Sequence, residues 1–334
     1  MKPEKMKILI MGAGAIGSLF GGLLAENGND VILVGRQSHM RRVRESGLKI
    51  EGLLNKQIFK NLKAEVNLTN FLKEEFDLIL LTVKAYDTKQ ASTQIKKLVE
   101  KKTMVVCLQN GLGVEDEASE VLGKTHVLRA VTFCGAYLDK PGTVRCTGFG
   151  ETFIGEPYYQ NLREETIKIA KTFEEAGFPT KISANIHETV WTKTLVNVGI
   201  NPYGALTRKR NGELIENREI KELMVSTVRE GVDVAEKVGV NFKEDPVDLM
   251  LKTAEATAKN LNSMLQDLLR GKKTEIDYLN GAIVKLGEKF GVPTPLNRLL
   301  TVLIKTLEKD FRENPMVGTG RNSYYQFKFL KNMV

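Results

Sequence analysis

Two sets of residues in this chain have the types and spacing for chemistry. The first is Gly12-Ala13-Gly14-Ala15-Ile16-Gly17, with glycines at G-x-G-x-x-G spacing behind the apolar run at residues 8–11. That spacing suits a tight turn from a strand into a helix. Gly12 takes the positive φ, Gly14 lets backbone approach a pyrophosphate, and Gly17 lets the helix lie close to the strand. The free N–H groups of the helix start then bind a diphosphate. The second set is Lys193, Asn197 and Asn201, at i, i+4 and i+8, with Leu195, Val196, Val198 and Ile200 making the other faces of the same helix apolar. A helix that is apolar around most of its circumference is buried, so its polar stripe lines a cavity or is bonded by other helices. A solvated face is the remaining alternative.

Further candidates fall at strand ends. Residues 31–34 read as the second parallel strand, followed by Gly35-Arg36. NAD-binding folds place an acid there for the ribose 2′-hydroxyl, and Asp30 lies at the wrong end of the strand. Arg36 instead suits a 2′-phosphate through charge-assisted hydrogen bonds, so NADPH is expected over NADH. His39, Arg41 and Arg42 read as a solvated basic loop, with a share in the phosphate pocket as the alternative. The strands at 76–84 and 105–111 lead to Lys84 and Asn110. Open parallel sheets bind ligands at the carboxyl ends of their strands, where the nicotinamide end of a cofactor would meet both residues.

These residues need a doubly wound sheet and a helical region to hold them. Residues 125–155 read as short strands that extend the sheet in antiparallel fashion, and a helix at 162–176 and a strand at 179–182 close the first domain. From residue 184 the pattern is helical, over 186–206, 213–238, 246–270, 275–290 and 296–313, with Asp245 as an acidic cap before Pro246. The expectation is an α/β dinucleotide-binding domain at 1–183 and an all-helical substrate and dimerisation domain at 184–334. The tail, with Tyr324, Tyr325, Phe327 and Phe329, would pack on the body or on a partner subunit.

Composition narrows the class. A chain of 334 residues suits two domains. The 49 Lys and Arg exceed the 41 Asp and Glu to give +8, but they are scattered among the acids. An anionic small molecule accounts for that excess, and nucleic acid is not expected. Cys107, Cys134 and Cys146 have no C-x-x-C spacing, so they read as reduced, buried thiols of a cytoplasmic protein, with no metal site. Residues 8–25 carry no charge and follow Lys2, Lys5 and Lys7, which imitates a signal peptide or membrane span. Five glycines within that stretch favour the phosphate turn and a close-packed helix, so no membrane partner is expected.

With these residues in place, the sequence resembles the ketopantoate reductase (2-dehydropantoate 2-reductase) family over nearly its whole length. The likeness is carried by Gly12–Gly17, Val83-Lys84-Ala85, Gln109-Asn110-Gly111-Leu112-Gly113, residues 191–202, Asn211-Gly212-Glu213, residues 262–267 and residues 274–281. The resemblance implies a Rossmann-type domain joined to a helical one, as in 6-phosphogluconate dehydrogenase-like folds, with NADPH and substrate meeting between them. It makes Lys193 the general acid that protonates the ketone oxygen, with partial burial lowering its pKa. Asn197, Asn201, Asn211 and Ser263 hold the substrate's carboxylate and hydroxyl, and Asn110 and Glu275 contact substrate, cofactor or both. Lys84 matches a cofactor-end residue. The chain departs from the family in a few extra residues before the first strand and a longer tail, neither at a motif position. The implied activity is reduction of 2-dehydropantoate to (R)-pantoate, towards pantothenate and coenzyme A, by a homodimer. The alternatives are a related reductase of another 2-oxo or 3-hydroxy acid, and a non-enzymatic NADPH-binding regulator on the same scaffold.

Overall fold

A computed structural model describes residues 5–54, 57–60 and 62–313, so the aromatic tail residues Tyr324, Tyr325, Phe327 and Phe329 lie outside the described residues. The chain divides into two compact units, Met1–Val190 and Trp191–Val334.

The first unit carries β1 (Lys7–Met11), β2 (Asp30–Val34), β3 (Leu48–Gly52), β4 (Gln57–Phe59), β5 (Lys63–Glu65), β6 (Leu78–Leu81), β7 (Met104–Cys107), β8 (Val127–Thr132), β9 (Gly135–Lys140), β10 (Thr143–Gly148), β11 (Thr152–Gly155) and β12 (Thr180–Ile182). Its helices are α1 (Ala15–Glu26), α2 (Gln37–Ser46), α3 (Thr88–Ile95), α4 (Val114–Leu122) and α5 (Glu164–Glu175). The main sheet has the order β12-β11-β8-β7-β6-β1-β2-β5. Strands β5 through β8 in that order are parallel, and β11 turns antiparallel to β8. Ile8, Leu9, Ile10 and all of β6 are fully buried, as strands covered on both faces must be. Because β1 is flanked by β2 on one side and β6 on the other, the connections leave it in opposite directions, which makes its carboxyl end a topological switch point.

In the region 125–155 the antiparallel extension expected from sequence holds for β11 on β8 but not for the other strands. Strand β8 follows helix α4 and enters parallel to β7, as a crossover connection dictates. Strands β9 and β10 leave the main sheet and join a second one of order β4-β3-β10-β9. The reason lies in α1. A side chain at Gly21 would run into Leu33 of the main sheet, and one at Gly22 would meet Ile50, Leu48 and Phe59 of the second. The helix is therefore covered on both sides, with Val144 and Cys146 of β10 sharing its core. Phe20 of α1 stacks on Phe178 at 3.9 Å and meets Phe173 of α5 edge-on at 5.5 Å.

The second unit is helical from α6 (Ile186–Thr207), in whose course the division between units falls, through α7 (Asn211–Glu216), α8 (Arg218–Lys237), α9 (Pro246–Ala256), α10 (Ser263–Leu269), α11 (Asn280–Phe290) and α12 (Pro295–Glu313). Two helices expected as continuous are broken. The 213–238 segment splits at Asn217, whose side chain accepts from Ile220 N at 2.9 Å and starts α8 afresh. The 246–270 segment stops at Ala256 and restarts behind Asn262, which caps α10 by accepting from Leu265 N at 3.0 Å. Glu275 precedes one turn of 3₁₀ helix, Ile276–Tyr278, rather than opening α11. Asp245 does cap α9, accepting from Val247 N at 2.9 Å. Among the described residues no helix is long and apolar enough to cross a membrane.

Candidate active site

In the first unit, the carboxyl ends of four neighbouring strands are aligned. Met11 pairs with Val34 and with Leu81, and Leu81 with Cys107. One to three residues beyond that line stand Gly12, Arg36, Lys84 and Asn110, so the sheet brings together every cofactor residue expected from the first half. The turn is held by backbone. Gly12 N and Ala13 N both donate to Val34 O, at 3.0 and 2.7 Å, and Gly14 N donates to Gly12 O at 2.6 Å. Gly12 has φ +108, and a side chain there would strike the backbone at Thr82 and Val83. At Gly17 a Cβ would meet Gly12 O at 2.5 Å, so the helix sits against the turn as the spacing requires. A Cβ on Gly14 meets nothing nearer than 3.9 Å, and no side chain caps α1, whose residues Ala15 and Ile16 follow directly. This open, uncapped helix start has the donors and the room for a diphosphate.

Arg36 is exposed at the end of β2, and Lys84 and Asn110 are half-buried. The basic residues next to Arg36 behave differently from one another. His39 is buried on α2 and takes no part in a phosphate pocket or a solvated loop. Its Nδ1 accepts from Gly142 N at 2.8 Å and its Nε2 faces Ser18 Oγ at 2.9 Å, which ties α2, α1 and the β9–β10 turn together. Burial lowers its pKa to about 4, so it is neutral. Arg41 and Arg42 are exposed on helix α2 and both face Glu45.

The Asn110 turn owes its shape to a residue that was not singled out in the sequence. Arg129 of β8 is buried, and its guanidinium donates to Cys107 O at 2.7 Å, Ala130 O at 2.9 Å, Gln109 O at 2.8 Å and Gly111 O at 3.1 Å. Its Nε stands 3.2 Å from Glu115 Oε2 in the first turn of α4. The carbonyls on either side of Asn110 are thereby fixed, and the buried charge is paired. The signal was present, because an arginine in the middle of an otherwise apolar strand must find partners. All three cysteines are free and buried, and burial pushes the Cys107 thiol up to about 12, which makes it unreactive.

In the second unit, α6 carries the polar stripe. Thr194, Leu195, Val198 and Ile200 are buried, Lys193 and Asn197 are half-buried, and Asn201 is 5% exposed, which removes the solvated-face alternative. A side chain at Gly199 would meet Val228 of α8 at 2.6 Å and Met250 of α9 at 2.9 Å, so the helix is tightly enclosed there. Asn211 at the start of α7 donates Nδ2 to Thr257 Oγ1 at 2.8 Å, and its backbone N donates to Asn260 O at 3.1 Å. Its buried Oδ1 has no hydrogen-bond partner among the described residues. Asn262 Nδ2 lies against Gly204, one turn beyond Asn201, so the end of α6, Asn211 and the 257–262 loop share one neighbourhood. Ser263 is exposed at the first residue of α10. Glu275 is buried, and the residue before it is held by Glu308 of α12, whose carboxylate accepts from Thr274 N at 2.7 Å and Thr274 Oγ1 at 2.6 Å.

A doubly wound unit with an anion-ready glycine turn at its switch point has the form of a dinucleotide-binding domain, and a helical unit with a partly buried lysine–asparagine stripe follows it in the chain. Residues 8–158 match the family described as ketopantoate reductase PanE/ApbA, and residues 185–308 match its C-terminal counterpart. The chain belongs to the ketopantoate reductase family. It is 43% identical to a 2-dehydropantoate 2-reductase of Pyrococcus abyssi over 91% of this chain and 98% of that one. A crystal structure of a PanE/ApbA family ketopantoate reductase from Ralstonia eutropha JMP134 superposes with a TM-score of 0.84 at 32% identity, covering 91% of this chain and 99% of the other. D-Mandelate dehydrogenase, solved with NADH and anilino(oxo)acetate, gives a TM-score of 0.84 at 30% identity with the same coverage.

Proposed function

We propose that this chain reduces 2-dehydropantoate to (R)-pantoate with NADPH, a step towards pantothenate and coenzyme A. The observation that carries the reading is the Lys193–Asn197–Asn201 stripe, half-buried at Lys193 and Asn197 and buried at Asn201, in a chain 43% identical to a 2-dehydropantoate 2-reductase. Residues 1–183 hold the cofactor and residues 184–334 the substrate. The uncapped start of α1 and the open side of Gly14 fit a dinucleotide diphosphate, and Arg36 suits its 2′-phosphate. Bound NADPH supplies the hydride. Lys193 donates a proton to the ketone oxygen, because an ammonium both stabilises the developing alkoxide and delivers the proton. Asn197, Asn201, Asn211 and Ser263 hold the substrate's carboxylate and hydroxyl. By the family resemblance Lys84 serves the cofactor, and Asn110 and Glu275 contact substrate, cofactor or both.

The free, buried cysteines agree with a reducing, cytoplasmic setting. A homodimer through the helical unit is consistent with Leu299, Val302 and Leu303, which α12 exposes on one side. The likeness to D-mandelate dehydrogenase favours one second reading, reduction of a bulkier 2-oxo acid. Initial rates of NADPH oxidation with ketopantoate against a panel of aliphatic and aryl 2-oxo acids decide the matter. Ketopantoate should give the highest kcat/KM. A preference for an aryl 2-oxo acid would support the second reading, and silence on the whole panel would indicate a regulator.

A further inference from the structure

In an α-helix each carbonyl accepts from the N–H four residues on. For Val198 that residue is Pro202, which stands inside α6. Proline has no N–H, and its ring pushes the carbonyl four residues back off the helix axis. Val198 is fully buried, so water does not replace the lost bond. The donor comes from another helix. Asn280, the first residue of α11 and itself fully buried, donates Nδ2 to Val198 O at 3.3 Å. The same amide donates to Asn297 Oδ1 at 3.0 Å. Asn297 in turn donates to Thr227 O at 3.0 Å and to Glu230 Oε2 at 2.8 Å. The Glu230 carboxylate accepts from Leu296 N at 2.9 Å and Asn297 N at 3.0 Å, which anchors the start of α12. A chain of bonds thus runs from the proline break in α6 through α11 and α12 to α8.

The turn that contains the break is the one bounded by Asn197 and Asn201. We propose that Asn280 is a positioning residue: it supplies the hydrogen bond that Pro202 withholds from Val198, and so fixes the turn of α6 that presents these two asparagines. The part concerning substrate rests on the reading of Asn197 and Asn201 as substrate ligands. The part concerning the helix does not.

The test is a double-mutant cycle in the full-length protein, with Asn280→Ala, Pro202→Ala and both together. Pro202→Ala restores an N–H opposite Val198 O, whereas the loss of the Asn297 partner is common to both backgrounds and cancels. Asn280→Ala alone should lower the urea midpoint and raise KM for ketopantoate about tenfold, with kcat and NADPH affinity little changed. In the Pro202→Ala background the same substitution should raise KM by no more than about twofold and cost correspondingly less stability. Equal effects in both backgrounds would overturn the proposal. So would a loss of NADPH affinity in step with KM, which marks general destabilisation. Should Asn280→Ala fail to fold, rescue by Pro202→Ala supports the brace, and failure of both variants overturns it. A wild type that reduces no 2-oxo acid would remove the proposed function, while the stability cycle, which needs no substrate, still decides whether Asn280 and Pro202 are coupled.

Discussion

The glycine turn of the first unit and the polar stripe of the second reach recognition by different routes. At Gly12–Gly17 the donors are backbone amides, and the side chains matter chiefly by their absence. Such a surface accepts any dinucleotide diphosphate and leaves the reaction undetermined. On α6 the backbone is enclosed in the core, and the groups left for chemistry are the side chains of Lys193, Asn197 and Asn201. The difference teaches where specificity resides. A site made of backbone fixes the class of cofactor, whereas a site made of side chains fixes what is done with it.

Substitutions that strike one region and spare the other put this contrast to the test. The largest effect is expected from Lys193→Ala, which should lower kcat by about 10²–10⁴-fold in steady-state assays, the usual worth of a positioned general acid. Next is Arg129→Met, which leaves Glu115 buried without its partner and the carbonyls of Cys107, Gln109 and Gly111 without their donor. It should cost about 3–5 kcal/mol in urea unfolding, and a near-neutral result would show that the Asn110 turn holds its shape unaided.

His39 adds a pH dependence. Its folded pKa of about 4 lies below the 6.5 of the unfolded chain, so only the unfolded state binds the proton between those values. Stability is complete above pH 6.5 and falls as the pH drops towards 4, by up to about 3 kcal/mol. His39→Gln should flatten that slope in urea unfolding followed against pH, and an unaltered slope would assign it to other groups. The smallest effect is expected at Arg36, exposed at the edge of the first region. Arg36→Ala should weaken NADPH roughly tenfold and leave NADH nearly unchanged. Equal losses would show that the 2′-phosphate is read elsewhere.

The two regions were also unequally legible. The main sheet and its turn could be read because buried parallel strands are continuous apolar runs and a left-handed turn calls for glycine at one position. The second sheet could not, because its short strands pair residues 48–59 with residues 135–148, and nothing local marks that partnership. In the helical unit no glycine or proline marks the boundaries at Asn217 and Asn262. An asparagine that caps a new helix looks, in periodicity alone, like one polar position on a continuing helix. The break at Asn262 delivers Ser263 to a helix start, a placement that periodicity alone does not give. The roles of Arg129 and Asn280 are hidden in the sequence for a shared reason. Each acts on carbonyls distant in sequence, and only the fold reveals which ones.

Under the proposed function, cofactor binding belongs to the first unit and proton delivery to α6. The most direct measurement is a fluorescence titration of NADPH into the wild type and Lys193→Ala, beside their turnover of ketopantoate. The expected result is the same NADPH affinity in both proteins with turnover lost in the variant. A variant that keeps its kcat, or one that loses NADPH affinity along with turnover, would contradict it.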